Sequence, residues 1–226
     1  MIALRDVTLW PTGAARPVLY RANAIFGDRQ RIGILAPAAS GKTTIARLLC
    51  GIERPASGSV LSTGRVSWPL GHAGMLHPEL TAADNLHHLA RTIGEDPAHY
   101  IAFCQSFAAL DRPLSARMKS FSPAERARLA YAASLAIRCD TYIADETITV
   151  GDAETRAKSE ALLRGRLDHA GLIFLSRNAR QLDAWCDHIL LLTDGMLRPC
   201  PSAKVAQAAC DLAAERRQNR KDPAHV

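Results

Sequence analysis

Gly41-Lys42-Thr43 is the stretch of this sequence whose residue types could do chemistry on sight. The apolar run Arg31-Ile-Gly-Ile-Leu35 leads into Ala36-Pro37-Ala38-Ala39-Ser40-Gly41-Lys42-Thr43-Thr44, and Ile45, Leu48 and Leu49 follow at helical spacing. A buried strand, a loop of small residues and a helix opening on Gly-Lys-Thr make a phosphate-binding loop, or P-loop. Successive backbone N–H groups form a concave nest there, and the helix N-terminus adds partial positive charge. Lys42 supplies a point charge for β and γ phosphates, and Thr43 supplies a hydroxyl to a magnesium ion. The first glycine of the usual motif is Ala36 here, and Ala39 stands at a second position that often carries glycine. Wherever such a position needs a positive φ, alanine costs roughly 1 kcal/mol.

The second constellation is Thr141-Tyr-Ile-Ala-Asp145-Glu146, an apolar strand ending in two carboxylates. In a parallel sheet its C-terminal end shares a rim with the P-loop, where α/β sheets bind ligands. Asp145 would then hold magnesium, and Glu146 would orient or deprotonate an attacking water.

These groups need a sheet to position them. Beyond the run at 31–35 and the strand at 141–144, Gly171–Ser176 and His188–Thr193 are short apolar runs, the last closed by Asp194-Gly195. Helical patterns separate them, which argues for a parallel sheet covered on both faces. Ile2, Leu4, Val7 and Leu9 suggest a first strand with imperfect alternation, followed by a turn at Pro11-Thr-Gly13. Residues 79–138 are helix-rich, with breaks at Gly94 to Pro97 and at Arg112-Pro113. The expected architecture is α/β. It is one domain over 1–226: a mainly β layer with the P-loop at 1–78, a helical insert at 79–138, core strands and helices at 139–200, and a C-terminal helix and polar tail at 201–226. The small antiparallel layer draws on the first seventy residues.

Composition bounds the rest. The chain has 226 residues, 48% of them hydrophobic and 22% charged, as in globular proteins. Lys and Arg number 28 against 22 Asp and Glu, a net +6 that suits nucleotides, nucleic acid or an anionic surface without choosing among them. No segment approaches the roughly 20 apolar residues of a membrane span. The N-terminus MIALRDV reaches Arg5 and Asp6 at once and does not read as a secretory signal, so the chain is expected to stay in the cytoplasm. Six cysteines without a C-x-x-C pair are expected to be free, half-buried thiols.

Other stretches resemble one family. Gly51-Ile-Glu-Arg-Pro55-Ala-Ser-Gly58 resembles the G-x-x-x-P-x-x-G stretch of ABC transporter nucleotide-binding subunits. Phe121-Ser122-Pro123-Ala124-Glu125 occupies the place of their LSGGQ signature, and Val150-Gly-Asp152 resembles their D-loop. Ser176-Arg177 sits where a switch histidine normally follows a serine. Ser67-Trp-Pro-Leu-Gly71, Leu80-Thr81 and Asp84-Asn85 further resemble the subunits of capsular and related polysaccharide exporters.

The resemblance implies a P-loop ATPase that binds ATP and Mg2+ and works as a homodimer of nucleotide-binding subunits. It implies that ATP in one subunit meets Ser122 and Ala124 of the other, and that a polytopic permease is the partner. It places the protein on the cytoplasmic face of the inner membrane as a peripheral subunit. It points to Trp10, with Tyr20 in reserve, as the aromatic that stacks on adenine; a core or surface tryptophan is equally compatible with the residues. His72 falls at the Q-loop position, either near magnesium and the lytic water or, the favoured reading, at the permease interface.

The departures are specific. Pro123 has no N–H to offer a phosphate, and Ser122-Pro-Ala-Glu125 also reads as a capping box that starts a helix. Arg177 can stabilise γ-phosphate charge but, unlike histidine, cannot relay a proton near neutral pH. Together with Ala36, Ala39 and Ala124, these departures keep open an alternative, a degenerate nucleotide-binding regulatory subunit with little turnover. Nucleic-acid work is disfavoured because the basic residues are dispersed.

Overall fold

The computed structural model describes residues 1–219, and the tail beyond them lies outside the described residues. Nine strands, β1 (Ile2–Leu9), β2 (Leu19–Phe26), β3 (Arg31–Leu35), β4 (Ser57–Ser62), β5 (Val66–Pro69), β6 (Thr141–Asp145), β7 (Gly171–Ser176), β8 (His188–Thr193) and β9 (Met196–Cys200), form two sheets among the described residues. The larger runs β5-β6-β7-β3-β8-β9 and is parallel except for β9, which pairs antiparallel with β8. The smaller, β2-β1-β4, is antiparallel.

The apolar runs at β3, β6, β7 and β8 become the sheet's centre because both of its faces are covered. On one face, α1 (Lys42–Leu49) and the inward side chains of β1 and β2 share a core with β3 and β7, including Ile2, Leu9, Phe26, Ile34 and Ile45. On the other, α6 (Ala179–Trp185), α7 (Ala203–Asn219) and residues of α5 (Ala153–Leu167) enclose Phe174, Leu182 and Ala206. Each large side chain buried in this way stabilises the fold by roughly 1.5–3 kcal/mol.

The imperfect alternation of β1 has a structural cause. Its register against β2 shifts between Leu4 and Val7, where Asp6 takes φ 51°, so one extra residue bulges out of the ladder. That keeps Val7 and Leu9 facing the core.

Between β5 and β6 stand α2 (Ala82–Ile93), α3 (Pro97–Ala108) and α4 (Pro123–Ala136), which pack around Leu86, Tyr100, Phe121 and Leu129. Their starts are written in the sequence. Thr81, Asp96 and Ser122 cap the three N-termini by accepting from Asp84, His99 and Glu125 N–H groups. The two expected breaks fall between these helices. α1 stops where Gly51 adopts φ 74° and its N–H returns to Leu48 O.

Candidate functional site

β3 ends at Leu35, and the loop 36–41 carries the chain to α1, so the P-loop sits on the C-terminal rim of the central strand. Gly41 is the N-cap of α1 with φ 89°, and a Cβ there would lie 2.5 Å from both methyls of Val18. Glycine is required twice over, by the left-handed backbone and by the close approach of Val18. Ala39 adopts φ 55°, a left-handed conformation that alanine takes at a cost. Ala36 is not among the positive-φ residues; it is fully buried, and its N–H donates to Ser176 O at 3.1 Å.

The charged groups converge. Lys42 is only 8% exposed; its Nζ donates to Pro37 O at 2.9 Å and Ala36 O at 3.3 Å and lies 3.2 Å from Glu146 Oε1. The Thr43 hydroxyl donates to Asp145 Oδ2 at 2.6 Å. Asp145 Oδ1 is buried without a hydrogen-bond partner. A buried carboxylate oxygen left unpaired beside a threonine hydroxyl, at a phosphate loop, fits a hard cation that takes oxygen ligands, such as Mg2+.

Glu146 is held in place from several sides. Its backbone takes φ 58°, strain of order 1–3 kcal/mol that persists only where the surroundings enforce it. Its N–H donates to Leu175 O at 2.8 Å, and its Oε2 accepts from Ser176 Oγ at 3.1 Å and Arg177 N–H at 3.3 Å. The adjoining strands β6 and β7 thus bring Asp145, Glu146, Ser176 and Arg177 to one point beside the P-loop. Arg177 is exposed and lines the cleft in front of it.

That cleft has a volume of about 1790 Å³, ample for a nucleoside triphosphate. Ala36, Pro37, Ala38, Ala39, Ser40, Gly41 and Thr44 line it, with Trp10, Val18 and Tyr20 from the N-terminal layer and Gln207 and Cys210 from α7. Trp10 is 51% exposed with its Nε1 fixed to Ala14 O at 2.8 Å, and Tyr20 is 55% exposed with its N–H on Gly195 O. Both candidate aromatics therefore face the same space. The contribution of α7 and the β8–β9 turn to the cleft has no sequence motif to announce it.

Lys42, Thr43, Asp145 and Glu146 stand beside the cleft and are not part of its lining. Ser122 and Ala124, at the N-terminus of α4, and His72, which heads a 3-10 turn at Ala73–Met75, do not line it either. No cluster of metal-ligating side chains occurs among the described residues, and all six cysteines are free. Burial raises Cys50, Cys104 and Cys186 to about 12 and Cys139 to about 11, so these thiols behave as core residues.

Comparison with known proteins shows the family and the fold. The family model described as ABC transporter matches residues 21–149. The capsule polysaccharide export ATP-binding protein CtrD of Neisseria meningitidis is 33% identical over 80% of this chain and 83% of its own length. The ATP-binding protein BexA of Haemophilus influenzae is 32% identical over 80% and 84%. The fold is that of the ATP-binding cassette MJ0796, solved as a dimer bound to ADP and Pi, with a TM-score of 0.71 at 20% identity, covering 88% of this chain and 98% of that one. With a P-loop, a paired carboxylate strand and relatives matched over most of their length, the chain belongs to the ABC transporter family, among the ATP-binding subunits similar to those of capsule polysaccharide exporters.

Proposed function

We propose that this protein binds and hydrolyses ATP to power a separate membrane permease that exports capsular or related polysaccharide. The observation that carries the reading is the convergence of Lys42, Thr43, Asp145 and Glu146 at the rim of β3 and β6. The loop amides and Lys42 take the β and γ phosphates, and Trp10 or Tyr20 stacks on the base. Thr43 and Asp145 hold Mg2+, which when bound neutralises charge on the transferring phosphoryl group. Glu146, locked by Ser176 and Arg177, orients the lytic water and accepts its proton. Arg177 supplies positive charge to the γ-phosphate. Two copies pair so that Ser122 and Ala124 of one meet the γ-phosphate in the other. No described helix is long and apolar enough to cross a membrane, so the transport path belongs to a partner. A place on the cytoplasmic face of an inner membrane, with His72 and the helical insert toward the permease, completes the proposal. The names of the matched relatives support the substrate class.

Steady-state hydrolysis by the purified chain, with and without Glu146→Gln, tests it. Turnover that falls by about 10²-fold or more with that substitution supports the engine. Tight ATP binding with no turnover in either protein supports the second reading, a regulatory nucleotide-binding subunit. That reading draws on the first turn of α4, where Pro123 offers no N–H and the cap is internally satisfied.

A further inference from the structure

Ser176, fully buried at the end of β7, carries a hydroxyl with one hydrogen and two lone pairs. Its oxygen accepts from Asn178 N–H at 3.1 Å. Its hydrogen has two acceptors in reach, Glu146 Oε2 at 3.1 Å and Gln181 Oε1 at 3.3 Å. One hydrogen cannot serve both at full strength. The carboxylate is nearer and charged, and a charged acceptor makes a bond roughly twice as strong as a neutral one. Glu146 therefore keeps the hydrogen for as long as residue 181 is neutral.

That bond decides which way Glu146 faces. Oε2 takes both donors from the end of β7, Ser176 Oγ and Arg177 N–H, whereas Oε1 lies 3.2 Å from Lys42 Nζ, on the side of the phosphate loop. With Oε2 tied back, Oε1 is the oxygen presented to the phosphates and the lytic water. Ser176 also reaches the loop through its backbone, because its carbonyl accepts from Ala36 N–H. Gln181 is exposed at the third position of α6, whose N-cap is Asn178, and it does not line the cleft.

We infer that Gln181 is a positioning residue for hydrolysis: acting through the Ser176 hydroxyl, its uncharged amide leaves Glu146 the hydrogen that turns Oε1 toward the phosphates. The inference rests on the ATPase reading above and concerns how the general base of that reading is held.

Steady-state hydrolysis at saturating Mg-ATP, with calorimetric ATP binding, tests it on Ser176→Ala, Gln181→Glu and the double variant. Ser176→Ala removes the hydrogen and should lower kcat about tenfold, the Arg177 N–H remaining as a second anchor. Gln181→Glu offers a second charged acceptor and should lower kcat about fivefold. A carboxylate at the third helical position also suits a helix N-terminus, so the melting temperature of Gln181→Glu should hold or rise while kcat falls. ATP affinity should stay within about twofold of the parent in all three variants. The double variant should sit about tenfold below the parent, because independent effects would multiply to about fiftyfold. Parent-level kcat in either single variant, a matching loss of ATP affinity, or multiplied losses in the double variant would overturn the inference while leaving the ATPase reading intact. No turnover by the parent, or full turnover in Glu146→Gln, would overturn that reading and this inference with it.

Discussion

Ala36 and Ala39 both stand in a loop where glycine is common, yet restoring glycine at each should move stability in opposite directions. Ala39 is exposed with φ 55°, so its methyl buys little packing and holds a left-handed backbone. Relief of that conformation is worth roughly 1–2 kcal/mol, and the greater freedom of unfolded glycine takes back about 0.4–1 kcal/mol. Ala39→Gly should therefore stabilise the protein by about 0.5–1 kcal/mol, or about 1–4 °C in melting temperature for a domain of this size. Ala36 is fully buried in the core shared with Ile34 and Ile45, without a positive φ. Ala36→Gly removes one buried methyl, about 0.8 kcal/mol, and adds a glycine penalty of about 0.5–1 kcal/mol. It should destabilise by about 1–2 kcal/mol. Urea unfolding of the two variants and the parent, with equal m-values as the check on two-state behaviour, reads both numbers. Shifts of the same sign, or a destabilised Ala39→Gly, would refute the assignment of strain to residue 39.

Asp145→Asn should leave the fold intact, raise the Mg2+ concentration needed for half-maximal hydrolysis at least tenfold, and be detected by titrating Mg2+ at fixed ATP. Trp10→Ala should weaken Mg-ATP binding about tenfold if the indole stacks on the base, as calorimetry would report, whereas the same loss on Tyr20→Ala alone would move that role to Tyr20. Asp96 and Asp152 cap α3 and α5, and the His99 and Thr155 N–H groups hold both carboxyls below their ordinary range. A depressed folded pKa means that the stabilisation is full above the unfolded value, about 4, and is lost as pH falls through the lower folded value. The melting temperature should accordingly drop below about pH 4, and less steeply in Asp96→Asn/Asp152→Asn.

The strands that the sequence shows are those buried on both faces. β3, β6, β7 and β8 are short apolar runs because a covered parallel sheet keeps a polar side chain only where it finds a partner, as Ser176 does on Glu146 at the end of β7. The strands it hides are edges. β4 reads SGSVLS and β9 contains Pro199, and both are held by pairing with β1 and β8 rather than by apolar content. The P-loop and the carboxylate strand were legible because phosphate and metal binding fix residue types at short spacing. The left-handed Glu146, the Lys42–Glu146 ion pair and the seat of Val18 on Gly41 join segments far apart in the chain, and no local pattern encodes them. The capping box at Ser122 was equally plain in the sequence.

The central claim is that the loop 36–44 and the carboxylates at 145 and 146 form one nucleotide site. Calorimetric titration of Mg-ATP into the purified chain and into Lys42→Ala tests it most directly. The account predicts one-to-one binding by the parent and affinity at least tenfold lower in the variant. No heat from the parent, or equal affinity in the two proteins, would contradict it.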